Sequence, residues 1–551
     1  MSHWIILPIV LPAMMAAFIV LVVRHHAVLQ RIFSLAGTLA VLAVATGLVM
    51  ATWDGTIILY QLGDWAAPFG IVLVADRLST LFVFLTSLLA VFVQLYAIGS
   101  KWDMRGRHFY ALFQFQLMGI IGAFLTGDAF NLFVFFEVLL IASYGLMIHS
   151  GGPERFRAGV QYVVFNLLGS TLFLFALGTI YAETGTLNMA DLAQRIAAAP
   201  PEYTSGIRAA SVMLLMVFAV KAAILPLHFW LPAAYANAPA PVAALFAIMT
   251  KVGAYAIIRF YTLVFPPDLE ITQGLFDTWL MPAALVTLFL GMLGVLGARR
   301  LDRLVAFAVI GSMGMLMAAV SVFTPQGIAA ALFYAIHSTL ATAALFLLVD
   351  VVRERRERNL LTFDLAPPIA GGALVAGMFF AAAIAMAGLP PLSGFIGKLL
   401  ILDAAMSDAR MAWVWAIVLG MSLIAVIGFA RAGSTIFWKA HASEAAYDEG
   451  PPPADEQTLQ PLPALPMVAI GGILATLVAV TVFAGPLQRH LTATAEQLFA
   501  PGPYISTVLE TPGKEISYKG HGEDDHGEES KARDSHDADD SHGDAQEEEG
   551  H

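Results

Sequence analysis

Two lysines in apolar surroundings are the first residues of this chain that could do chemistry. Lys221 and Lys251 sit in the runs VMLLMVFAVKAAILPL and VAALFAIMTKVGAYAIIRFY, and Pro226, Pro232, Pro239 and Pro241 fall between them. A lysine near the middle of a membrane helix costs roughly 2.5–3.5 kcal/mol on insertion scales, so a lysine kept there normally has a function. A helix broken at membrane depth is tolerated where the break is buried in protein or lines a watery cavity. Two lysines flanking a proline-broken segment therefore point to an ion or proton path.

Other titratable residues extend this pattern. Glu137 lies mid-run in NLFVFFEVLLIASYGL, where no neighbour in the same run neutralises it. A lone intramembrane carboxylate must pair with a cation or take up a proton. By topology Lys221 is the candidate partner, and a pair whose separation changes would move a proton. A static pair locking two helices would use the same residues. His337 sits in LFYAIHSTLATAALFLL, and Lys398 follows the break at Pro390-Pro391. With Lys221 and Lys251 these would form a mid-membrane row that passes protons sideways through water.

Other polar residues carry two readings each. His228, within LPLHFWLP, could shape a proton inlet or bond a helix end. Asp128, Asp76 and Arg77 lie near expected helix ends, where capping or interface anchoring is the default, and Asp128 is kept as a possible accessory group. Asn166, Ser170 and Thr171 could hold water or pack helices. Arg259 and Arg431 approach helix ends and are expected to snorkel to the interface. The chain has no Walker A motif, dinucleotide fingerprint, metalloprotease motif or nucleic-acid signature, so ATP hydrolysis and nucleic-acid binding are not expected. Cysteine is absent, which excludes disulfides and Cys-ligated zinc or iron–sulfur centres, and no cofactor is implied.

These groups need a membrane scaffold, and the composition supplies one: 58% of the 551 residues are hydrophobic and only 13% charged. An all-α polytopic membrane protein is the expected class. Apolar runs of about 20 residues cross a hydrocarbon core of roughly 30 Å. The runs are Trp4–Val23, Ile32–Thr52, Leu78–Gly99, Phe109–Thr126, Ala129–Ile148, Gly159–Tyr181, Ile207–Leu225, Val242–Val264, Thr278–Gly297, Leu304–Phe323, Ile328–Val351, Ile369–Ala404, Ala412–Phe437 and Ala464–Ala484. That makes about 14 helices. The first lacks a basic start and a small-residue cleavage pattern, and is read as a retained helix. The seventh breaks at Pro226 and the twelfth within GLPPLSGF. Interrupted segments in corresponding positions are the trace of inverted repeats, here two five-helix units.

Arginines and lysines in short loops set the orientation. Arg24, Arg31, Lys101, Arg105, Arg107, Arg155, Arg157, Arg299, Arg300, Arg303, Arg353, Arg355, Arg356, Arg358 and Lys439 fall on one side, expected to be cytoplasmic. Arg195, Arg208 and Arg410 fall on the other, and both termini are expected outside. Ile57–Val74 reads as a short outer hairpin. From about Pro501 the chain turns polar and acidic, and a disordered tail is expected. Its His521, His526, His536, His542 and His551, interleaved with aspartates, would bind a transition metal at most weakly. The expected units are 1–107 with the hairpin, repeats over 108–264 and 278–438, a last helix over 463–485, and the tail over 501–551.

Four segments carry a family resemblance: TGDAFNLFVFFEVLLIASYGL (126–146), KAAILPLHFWLPAAY (221–235), LFAIMTKVGAYAIIR (245–259) and GLPPLSGFIGK (388–398). They resemble the antiporter-like subunits of respiratory complex I, membrane-bound hydrogenases and Mrp-type (Mnh/Pha) multisubunit cation/proton antiporters. The resemblance reaches to about Gly485 and is greatest to the D-type subunits of Mrp antiporters, which YQLGDWAAPFGIVLVADRLS (60–79) also matches. It implies fourteen helices, with helices four to eight and nine to thirteen as inverted repeats. It implies a proton pathway through Glu137, Lys221, Lys251, His337 and Lys398. It further implies exchange of Na⁺ or K⁺ for protons, driven by the proton motive force, in a bacterial cytoplasmic (inner) membrane complex with Mrp A, B, C, E, F and G type partners. Such a chain is a secondary transporter subunit, not an enzyme. Lys398 departs from the complex I subunit that carries glutamate there, and no long amphipathic helix is expected after the last span. LPAAYANAPAPVAALF lacks the acidic and histidine residues many relatives place after the first break. A pumping subunit of complex I or of a hydrogenase is the alternative.

Overall fold

The computed structural model describes residues 2–200, 204–356, 361–364, 369, 371–439 and 462–514. Helices dominate, because in hydrocarbon each backbone N–H and C=O must be satisfied within its own segment. The chain opens with α1 (Leu7–Leu21), α2 (Ala27–Ala51) and α3 (Arg77–Gly99). Between α2 and α3 lie two antiparallel strands, β1 (Ile58–Gln61) and β2 (Val72–Ala75), with Ile58 opposite Ala75 and Gln61 opposite Val72. Next come α4 (Phe109–Leu125), α5 (Ala129–Met147), α6 (Pro153–Thr184), the short α7 (Met189–Ala197), α8 (Thr204–Lys221), α9 (Trp230–Asn237) and α10 (Ala240–Leu263). Then follow α11 (Met281–Gly297), α12 (Leu301–Ser321), α13 (Pro325–Arg355), α14 (Gly372–Ala387), α15 (Ser393–Ala404) and α16 (Met411–Gly433). The last are α17 (Ala464–Val482), α18 (Ala484–Leu498) and α19 (Gly502–Leu509).

Among the described residues ten helices are long and apolar enough to cross a membrane, and α1, α4 and α14 are shorter apolar helices. The twelfth apolar run divides into α14 and α15, while the seventh holds α8 and the short α9 follows it across the break at Pro226. The bundle centres on α10 and α13, whose apolar stretches are wholly enclosed, whereas α2, α16 and α17 keep most of their surface outward.

Side-chain contacts gather the loops into two sets. At one end Arg31 pairs with Asp103 at 2.6 Å, Arg105 pairs with Glu354, and Asp302 receives Arg300 at 2.7 Å and Arg353 at 3.6 Å. At the other end Arg77 donates to Ala493 O at 3.1 Å, Gln497 to Gly55 O at 2.8 Å, and the Trp53 ring stacks on His490 at 4.2 Å. The loops rich in Arg and Lys thus meet one another, and the hairpin end stands apart from them.

The chain beyond Pro501 departs from expectation. Gly502–Leu509 forms α19, because Tyr504 and Val508, one turn apart, give it an apolar stripe that is buried. Lys514 then pairs with the hairpin: its N–H donates to Asp64 O at 2.6 Å and its C=O accepts from Ala66 N at 3.1 Å. The short amphipathic α18 precedes it and packs against α13, with Leu491, Ala495 and Leu498 buried. The tail histidines His521, His526, His536, His542 and His551 lie outside the described residues.

Candidate functional site

The first break follows from Pro226, which has no N–H to donate and biases its predecessor away from the helix. α8 ends at Lys221, Ala223 adopts φ 54°, the Leu225–Pro226 bond is cis, and α9 resumes at Trp230. The freed backbone groups find partners inside the protein. Leu225 N–H donates to Thr287 Oγ1 of α11 at 2.9 Å, and the Trp230 indole donates to Val220 O at 3.1 Å. Lys221 therefore occupies the carbonyl end of α8, where the helix dipole favours a cation. A Cβ on Gly253 of α10 would lie 2.6 Å from Ala222 N, so only glycine lets α10 pack against this turn.

Lys221 Nζ donates to Asn166 Oδ1 at 3.2 Å and lies 5.9 Å from the Phe136 ring centre. Beside it is a cavity with about 20 Å³ open to the centre of a water molecule, lined by Tyr162, Asn166, Trp230 and Met249 among others. That is room for about one water. Glu137 is half-buried, accepts a short hydrogen bond from Ser170 Oγ, and stands within electrostatic reach of Lys221. Among the described residues the two form no direct ion pair; each is held by a polar side chain of α6. The reason lies in α6, which packs against both α5 and α8. Asn166 and Ser170, one turn apart on α6, each take one of the two charged groups. Thr171 is exposed and donates to Leu167 O at 3.0 Å.

The second break is built from different parts. Gly388 ends α14 at φ 74°, Pro390–Pro391 is cis, and α15 starts at Ser393. Lys398 reaches back across the gap, donating to Ala387 O at 2.6 Å and to Ser422 Oγ of α16 at 2.8 Å. Its ammonium, like that of Lys221, thus serves the carbonyl end of a half-helix. A Cβ on Gly388 would fall 2.5 Å from Lys398 Cδ, so this approach also requires glycine.

Between the breaks lie Lys251 and His337. Lys251 Nζ is wholly buried and has no hydrogen-bond partner among the described residues. An ammonium buried in that way is costly and is not kept for packing. His337 Nδ1 lies 2.9 Å from Ser393 Oγ, while Nε2 has no such partner. The ring neighbours Tyr334, centroids 5.6 Å apart, and is within electrostatic reach of Lys251 and Lys398. Gly394 passes so close that a Cβ there would lie 2.8 Å from Nε2. The structure thus arranges Lys251, His337 and Lys398 as neighbours, with Lys221 and Glu137 on the first-break side.

The remaining candidates stand apart. His228 lies in the first break beside Phe229, with Nδ1 buried and without a hydrogen-bond partner among the described residues. Asp128 caps α5, accepting from Asn131 N at 2.7 Å. Asp76 caps α3 through a reciprocal bond with Ser79. Arg259 does not snorkel: it is buried, pairs with Asp76 at 2.7 Å, and sits 5.2 Å from the Tyr504 ring. Burial by α19 leaves it no route to the interface. Arg431 donates to Ala298 O at 2.7 Å. Sequence reasoning missed Thr287, Ser393 and Ser422. Their one signal was a hydroxyl within an apolar run, which many packing residues share.

Half-helices broken at membrane depth, each with a lysine at its carbonyl end, and titratable residues between them define the class: a helical membrane protein that moves ions. Residues 126–426 match the family described as "NADH:quinone oxidoreductase/Mrp antiporter, TM". The chain belongs to that family. It is 38% identical over 546 residues to a protein of Rhizobium meliloti (strain 1021) named as the D-type subunit of a probable K(+)/H(+) antiporter, covering 93% of this chain and 98% of that one. It is 37% identical over 519 residues to the D-type subunit of the Na(+)/H(+) antiporter of Alkalihalophilus pseudofirmus, covering 92% and 100%. A chain in the structure of the Mrp complex from Dietzia sp. DQ12-45-1b superposes with a TM-score of 0.81 at 26% identity, over 92% of this chain and all of that one. A chain of respiratory complex I from Thermus thermophilus shares the fold, with a TM-score of 0.74 at 24% identity.

Proposed function

We propose that this chain is the proton-translocating D-type subunit of a Mrp-type multisubunit antiporter that exchanges Na⁺ or K⁺ for protons under the proton motive force. What carries the reading is the set of Lys221, Lys251, His337 and Lys398 buried between two broken helices, in a chain similar over nearly its whole length to subunits named for such antiport. In this reading Glu137 tunes Lys221 through the polar side chains of α6, and protons pass along Lys221, Lys251, His337 and Lys398 by water. His228 and Asp128 are accessory positions. The partners are the A, B, C, E, F and G type subunits, and the site is the bacterial inner membrane. The Arg- and Lys-rich loops face the cytoplasm, which places both termini outside. Fourteen spans with inverted repeats over 108–264 and 278–438 complete the proposal.

The test uses inside-out membrane vesicles containing the assembled complex, with a pH-sensitive dye reporting an acid-inside gradient. Addition of Na⁺ or K⁺ dissipates the gradient, and Lys221→Ala abolishes the response while leaving assembly intact. Wild-type exchange in assembled Lys221→Ala complex would sink the assignment. No response to any monovalent cation would favour a redox-driven pump.

A further inference from the structure

Beyond the row, one buried carboxylate is unused. Asp350, near the Arg-rich end of α13, is wholly buried. Two donors converge on its Oδ2: the Trp102 indole at 2.6 Å and Tyr96 OH at 2.9 Å. Its Oδ1 is buried with no hydrogen-bond partner among the described residues, and Asp350 makes no ion pair there. The donors are themselves fixed. Arg105 lies 4.1 Å over the Trp102 ring, and His149 Nε2 is 2.9 Å from Trp102 O. One turn further along α13, Glu354 stands at the surface, its side chain 37% exposed, paired with Arg105. The charged and titratable groups around Asp350 are thus Tyr96 of α3, Arg105 of the turn before α4, Arg155 of α6, and Arg353 and Glu354 of its own helix.

Two carboxylates one turn apart, one wet and one buried, suit a proton stair. With Oδ2 fixed by two donors, Oδ1 is the atom free to carry the proton. Toward the membrane centre, α13 next offers Thr342 Oγ1, buried and likewise unpartnered, then His337 Nε2. At 1.5 Å rise per residue, Thr342 lies about 12 Å along the helix axis from Asp350 and His337 about 20 Å.

We propose that Glu354 and Asp350 form the port through which protons pass between the solvent at the Arg-rich end and the buried row. This rests on the proton-translocating reading above. Glu354 takes a proton from solvent and gives it to the Asp350 carboxylate at Oδ1. Asp350 releases it through water to Lys251 Nζ in its neutral amine form, or to the lone pair of His337 Nε2, and returns to the anion. Every step moves one proton and forms or breaks no other bond.

The test is cation-driven exchange in inside-out vesicles of the assembled complex, comparing Asp350→Asn, Glu354→Gln, Tyr96→Phe and Lys221→Ala. Asparagine keeps an acceptor for Trp102 and Tyr96 but cannot carry the proton, so Asp350→Asn slows exchange by roughly tenfold or more at unchanged assembly. Tyr96→Phe, which removes one hydrogen bond and leaves the carboxylate, slows it less. Wild-type exchange in Asp350→Asn, in vesicles where Lys221→Ala is silent, overturns the port and leaves the wider reading standing. Equal losses in Tyr96→Phe and Asp350→Asn, with equal drops in melting temperature, also overturn it, because they mark a structural tie. If Asp350→Asn does not accumulate, Glu354→Gln decides: several-fold slower exchange supports the port, and an unchanged rate overturns it. Activity in Lys221→Ala overturns instead the reading on which the port rests.

Discussion

Replacing Gly388 by alanine puts a methyl group where the Lys398 side chain lies. The added Cβ would sit 2.5 Å from Lys398 Cδ, 2.6 Å from Cε and 2.8 Å from Nζ, at a backbone φ of 74°. The left-handed conformation alone costs an L-residue about 1–2 kcal/mol. Lys398 must also swing away from Ala387 O and Ser422 Oγ, which it now bonds at 2.6 and 2.8 Å. A hydrogen bond to a charged group contributes about 1.5–3 kcal/mol. Losing one of the two lowers occupancy of the native lysine position by about ten- to a hundredfold, at about 1.36 kcal/mol per factor of ten. Exchange in inside-out vesicles should fall by a similar factor, with the complex still assembled. Gly377→Ala, on the same helix, is the control: nothing lies within 4 Å of its added Cβ, and exchange should be unchanged. If Gly388→Ala exchanged like Gly377→Ala at equal assembly, the lysine would not depend on this glycine and the account of the second break would be wrong.

Three further outcomes follow from other parts of the molecule. Asn166→Ala removes the acceptor that Lys221 Nζ uses, and should slow exchange by about tenfold, on the order of 1.5–3 kcal/mol, without loss of complex; a rate equal to wild type would separate Lys221 from α6. Asp76→Asn keeps the cap on α3 but strands the Arg259 charge, whose side chain is 5% exposed, at a cost of about 3–5 kcal/mol. The melting temperature should drop, and adding Arg259→Met should recover most of it. His149, in the loop after α5, is held below the usual histidine range by burial, with Nε2 donating to Trp102 O. A lowered folded value means that its stabilising contribution is complete above the unfolded value of about 6.5 and drains away as pH falls from there toward the folded value. The wild-type complex should therefore lose more thermal stability between pH 7.5 and 5.5 than His149→Gln; parallel losses would remove His149 as the cause.

Both breaks were legible because proline and glycine act locally: Pro226 and the Pro390-Pro391 pair interrupt apolar runs whatever surrounds them. The buried lysines were legible because an apolar run makes any charge conspicuous. What joins Glu137 to Lys221 was not, since it depends on which helix lies between them. The Arg259–Asp76 pair spans 183 positions, a separation no local pattern records. α7, α18 and α19 escaped because spans were sought as runs of about 20 apolar residues. These three helices are short: α18 and α19 bury one stripe apiece, and α7 buries six of its nine residues. α19 also opens a stretch whose overall acidity hid the four-residue spacing of Tyr504 and Val508.

The wrapping of α10 and α13 has a consequence for how this chain can converse with its neighbours. Lys251 and His337 ride on the wholly enclosed stretches of α10 and α13, out of direct contact with any neighbouring membrane protein. The two ends of the series are different. Glu137 is only half-buried, on a helix that shows Phe130, Val134 and Ile141 outward, and Lys398 shares α15 with the outward Phe395 and Leu399. The chain is therefore laid out like an insulated conductor with two bare terminals. A charge altered at one end must cross the sheathed middle before the other end registers it.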